Sequence, residues 1–128
     1  MRNSTALRVT TNVDGVSTFV AVRTTAGGVA RCHAFFFDSS ASALYERTST
    51  TAITAPTPGA VDSAWTQLGA SIKPVVATSG TRTPVFTAQG TRGLAISFTV
   101  DRPTGPASLF VTAVTGRAPL ANVSPQCF

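Results

Sequence analysis

The sequence predicts an all-β fold, a single-domain antiparallel sandwich or jelly-roll-like barrel of seven or eight strands. Three observations carry this. The polar residues are mostly Thr and Ser, 21 and 12 of them, beside 14 Val, a composition that favours strands over helices. Two stretches, 16–23 and 94–100, alternate with period two. Gly- and Pro-bearing turns fall between such stretches at sandwich-like spacing. At 128 residues the chain holds one domain, divided here into an all-β body over 1–116 and an extended tail over 117–128.

The first 37 residues read as a meander. A strand over 6–13 meets the Asp14-Gly15 hairpin signal. The next, 16–23, sets Val16, Val20 and Val22 on one face and Phe19, Ala21 and Arg23 on the other. Gly27-Gly28 turns the chain again. The third strand, 29–37, ends in Phe35-Phe36-Phe37, and three consecutive Phe require cover on both faces of their sheet.

Residues 38–60 are Ser-, Thr- and Pro-rich and read as extended or loop structure, with at most one helical turn over 43–47. Asp62 reads as the N-cap of one short helix near 62–68, with Gly69 as its stop and Trp65 and Leu68 packed inward. Stretches 72–76 and 85–88 carry or adjoin Pro74 and Pro84, which suits edges or strand starts. Strand 94–100 points Leu94, Ile96, Phe98 and Val100 inward, and 108–115 returns beside it. The expected core is Val20, Val22, Phe36, Trp65, Leu94, Ile96, Phe98 and Val111.

The tail over 117–128 has two prolines and no period, yet it carries four anchors, Leu120, Val123, Cys127 and Phe128. A free tail needs no such anchors, so it is expected to dock on its own body or clasp a neighbour. Leu120, Val123 and Phe128, with Arg2 and Arg8 at the other end, are the expected subunit or capsid contacts. Deleting 118–128 is expected to leave the domain folded and to weaken its assembly.

The chemistry-bearing inventory is short: one His, five carboxylates, one Lys and two Cys. Cys32 and His33 are adjacent, and strand neighbours point to opposite faces, so they cannot act as a dyad. Cys32, His33 and Cys127 lack metal-site spacing. Asp14, Asp38, Asp62 and Asp101 fall in turns, caps or strand ends, and Glu46 is the sole Glu. No enzyme, cofactor or metal site is expected from this set. Cys32 and Cys127 could pair; with no secretory signal at the N-terminus, two buried free thiols are expected instead. Trp65 and Tyr45 could form a sugar platform, but Trp65 is expected to anchor the core.

Net charge is +5, yet the nine Arg never cluster and no aromatic is interleaved for base stacking. Nucleic acid is therefore not an expected partner, and solvated arginines with a contact to an acidic partner surface are. No apolar run approaches the ~18 residues of a membrane span.

A chain of this kind fits a virion structural protein, an adhesin or glycan-binding β module, or a small self-assembling coat protein. A coat protein calls for a basic arm, and residues 1–12 hold only Arg2 and Arg8. An adhesin calls for an export route, and no signal peptide is read. In size, composition and layout, across its whole length and without a motif, the chain resembles the capsid decoration (cement) proteins of tailed bacteriophages. Those are small β-rich modules bound outside the shell. The resemblance implies synthesis in the host cytoplasm, a place on the virion, and the major capsid protein or other virion subunits as partners. A homo-oligomer on the particle is expected with it.

Overall fold

The computed structural model describes residues 6–11, 15–26, 29–89, 93–115 and 127. Eleven strands and no helix are found among them. They form a five-stranded sheet, a four-stranded sheet and a two-stranded ribbon, all antiparallel, and the layout is a sandwich with no closed barrel. The barrel alternative is thereby set aside.

The first sheet runs β1 (Ala6–Thr11), β2 (Thr18–Ala26), β3 (Val29–Asp38), β4 (Ala43–Ser49) and β5 (Thr66–Gly69), in chain order. The meander expected over 1–37 is its first three strands. Residues 43–49, expected as extended or loop structure with at most one helical turn, form a full strand. The reason is tertiary: seven residues of β4 pair in register with β3, from Cys32 opposite Ser49 to Asp38 opposite Ala43. That ladder satisfies the backbone where local propensity is silent. The turn between them, 39–42, places Ser42 at φ 51°.

The helix expected near 62–68 is a correction too. Asp62 does cap, but it caps a single turn: its Oδ1 accepts from Ala64 N at 2.9 Å and its carbonyl from Trp65 N at 3.2 Å. After Trp65 the chain extends into β5 along β4. A seven-residue helix gains few internal hydrogen bonds, and the open edge of β4 supplies a better ladder.

The second sheet is built on β10 (Gly93–Val100). It pairs β11 (Ser108–Thr115) along eight residues on one side. On the other side it pairs β9 (Phe86–Gln89) and β6 (Ile72–Lys73). A small ribbon, β7 (Val75–Val76) with β8 (Arg82–Thr83), stands between these. Pro74 and Pro84 lie between consecutive short strands here, since proline cannot donate to a ladder. This fragmentation, together with β4 and β5, raises the strand count above seven or eight.

The first sheet is buried on both faces, as the Phe triplet requires. One face carries Val20, Val22, Phe35 and Phe37 against Val85, Phe86 and Leu94 of the second sheet's side. The opposite face carries Phe19, Ala21, Ala34 and Phe36, covered by Ile53, Trp65 and Cys127. Trp65 meets Phe19 edge-on and Phe36 at a tilt, both at 6.3 Å between ring centres. It anchors the core.

Asp38 fastens the segment that covers this face. It is buried, its Oδ1 accepting from Ser40 N at 3.0 Å and Ser40 Oγ at 2.7 Å, and its Oδ2 from Gly59 N at 2.9 Å. Cys127 is bonded to Cys32, with Cα atoms 5.5 Å apart across a sequence separation of 95. This corrects the expectation of free thiols. The residues of the tail and its boundary, apart from Cys127, lie outside the described residues.

Of the expected core, Val20, Val22, Phe36, Trp65 and Leu94 are buried, Ile96 and Phe98 are half-buried, and Val111 is 67% exposed. Val111 stands opposite Ser97, and directly opposed residues share a face. With Leu94, Ile96 and Phe98 inward, the even-numbered residues of β11 follow them and Val111 points out.

Candidate functional site

Leu120, Val123, Phe128 and Arg2, four of the five expected contact residues, lie outside the described residues. Arg8 is on β1, exposed, opposite Ala21. No group forms around it among the described residues.

The residues able to carry chemistry are set apart from one another. Cys32 faces the Trp65 side of the first sheet and is consumed by its disulfide. His33, on the other face, stacks on Phe35 at 6.4 Å and 11°, with Nδ1 3.3 Å from Thr24 Oγ1. Asp38 and Asp62 shape turns. Asp101 pairs with Lys73 at 2.7 Å, both half-exposed, and joins the end of β10 to β6. Glu46 stands opposite Phe35 and Thr66. Among the described residues no group of three or more His, Cys, Asp or Glu could hold a metal ion.

What the fold does bring together is apolar. Along one side of the sandwich, between β11 and β4–β5, the two sheets leave a cleft of about 340 Å³. Phe35, Leu44 and Leu68 line it from the first sheet, and Phe98, Phe110 and Val114 from the second. Phe98 and Phe110 stack at 5.0 Å across the β10–β11 pair. Ile96 and Phe98 line this cleft, which leaves them only half-buried.

The rim is exposed. Leu68, Leu109, Phe110 and Val111 are 49%, 64%, 47% and 67% accessible. Leu109 and Val111 point to the outer face of the second sheet, and Leu68 and Phe110 border the cleft. A soluble surface tolerates single exposed apolar residues, but a contiguous set marks an interaction site.

A second hollow, about 640 Å³, opens at the other end beside Val16, Phe37, Ile72, Lys73, Arg82 and Thr99. Lys73 there already serves Asp101.

Sequence reasoning missed the rim, and a signal for it existed. Leu109-Phe110-Val111 puts apolar residues on both faces of a strand at the end of a sheet. One of those faces must meet solvent or a partner. No family model matches the chain, no curated protein matches it and no solved structure matches it, so its function must be read from its own residues.

Proposed function

We propose that this chain is a non-enzymatic structural module that binds the outside of a viral capsid and stabilises it. The observation that supports this is where the chemistry-bearing side chains sit. Asp38, Asp62, Asp101, Lys73 and Cys32 each hold one part of the fold to another. Reaction chemistry needs such groups converging on a free centre. A module whose task is to be a rigid, adhesive block needs them where they are.

The disulfide is compatible with this reading, because virion surfaces, like other extracellular settings, keep disulfides oxidised. It equally favours an adhesin or glycan-binding module, which is the second reading. The burial of Trp65 removes the best sugar platform from that alternative.

The test is the gene neighbourhood and, where it encodes a major capsid protein, co-sedimentation of the oxidised chain with shells assembled from that protein. Saturable binding, at a ratio fixed by the shell lattice, with a higher melting temperature of the shell, is the expected result. Absence of binding, or binding that leaves shell stability unchanged, would reject the capsid role. A glycan array read in parallel addresses the adhesin.

A further inference from the structure

We infer that two copies of this chain associate edge to edge through β11, closing the apolar cleft of each copy against the other. The inference does not rest on the capsid reading, because it concerns the free protein in solution.

The sheet edges differ in how they are protected. Natural proteins blunt edges with short strands, charges, prolines or bulges. β5 is four residues, β9 four and β6 two. β1 carries Arg8 and lies near β9. β11 has eight residues, Ser-Leu-Phe-Val-Thr-Ala-Val-Thr, with no charge, proline or glycine. Among the described residues it pairs only with β10, so its outer row of backbone donors and acceptors has no strand beside it. Such a row is best satisfied by another strand.

A second copy fits that place on three counts. The patch is self-complementary: a two-fold axis normal to the sheet sets Val111 opposite its counterpart and keeps both inner faces on one side. The two clefts then abut, and Leu68 and Phe110 of each copy face those of the other. Charge does not oppose the contact, because neither β10 nor β11 holds a charged residue. Arg102 hydrogen-bonds Ser108 Oγ at 2.6 and 2.8 Å, which brings a cation to one end of β11. Antiparallel pairing separates the two copies of Ser108 by about 20 Å, well beyond the ~8 Å screening length. Parallel pairing would set them side by side.

The area suffices for a weak dimer. Eight residues span about 27 Å, and two sheets ~10 Å apart with their side chains stand about 20 Å tall. That gives about 1,100 Å² for the pair, just above the ~1,000 Å² expected of a genuine interface.

Sedimentation velocity on the oxidised full chain, from roughly 5 to 500 μM, tests this. A monomer–dimer equilibrium is expected within that range. Val111→Lys and Leu68→Lys should each weaken it about tenfold or more, since a charge on an edge blocks pairing. Val76→Lys, at an exposed apolar residue on the separate ribbon, should not. A monomer throughout, including one whose cleft takes an apolar dye, overturns the proposal. So does a dimer indifferent to Val111→Lys and Leu68→Lys. Should either variant melt lower than the parent, hydrogen exchange on the parent decides. β11 amides must slow with concentration, and equal exchange at both ends of the range overturns the proposal.

Discussion

Thr18 opens β2 fully buried, and its hydroxyl has no hydrogen-bond partner among the described residues. An unpartnered buried hydroxyl costs about 1–3 kcal/mol. Thr18→Val keeps the shape and removes the polar atom, so it should stabilise the protein by about 1 kcal/mol, read as a higher urea midpoint at unchanged slope. Asp38 is the opposite case. Asp38→Ala leaves three donors without their acceptor and frees the segment around Gly59. A loss of about 3 kcal/mol is expected, and a loss below about 1 kcal/mol would show that water replaces the carboxylate. The two phenylalanines of the expected core separate in the same way. Phe36→Ala should cost about 3–5 kcal/mol, and Phe98→Ala clearly less, because Phe98 borders an open cleft. Alternation told which face Phe98 takes. It held no information on whether the opposite sheet covers that face.

Among elements, the strands legible in the sequence were β1, β2, β3, β9, β10 and β11, with 72–76 read as one strand where β6 and β7 form, and alternation marked β2 and β10 most clearly. β4 and β5 escaped because their residues are chosen by what they pair with. Leu44, Glu46 and Thr48 carry no common character, and only the ladder with β3 aligns them. The disulfide escaped for a different reason. Cys32 and Cys127 are brought together by the fold, and spacing alone cannot report that. It also changes what removing the tail would do. Deleting 118–128 takes away Cys127 and the core contacts it makes, so loss of stability and loss of assembly would be confounded. Cys127→Ser is the cleaner variant. A loop of this length is worth up to ~4.7 kcal/mol in the chain-entropy model, and measured losses run about 2–5. The melting temperature should fall by on the order of 10 °C, and the reductant dithiothreitol should have the same effect on the parent but none on the variant.

At the scale of the whole molecule, composition and turn spacing were enough for the class, and they were silent on how the layers close. Circular dichroism should show strand with essentially no helix, and helix above about a quarter would contradict both the sequence and the structure. The apolar cleft could not be foreseen, because residues of both sheets line it and no single segment encodes it.

The Cys32–Cys127 bond also makes the chain a covalent ring with a short arm. Everything from β4 to β11 lies inside the ring, while β1 and β2 lie on the arm. The exposed loops over 77–81 and 101–107 are therefore cleavable without loss of either product. A protease that cuts 101–107 leaves two pieces still joined at Cys32, with β11 still paired to β10. Limited digestion with a protease of broad specificity, stopped at a single cut within 101–107, should give one band at full mass on a non-reducing gel and two after reduction. A protein built this way keeps both pieces when it is nicked in a protease-rich medium.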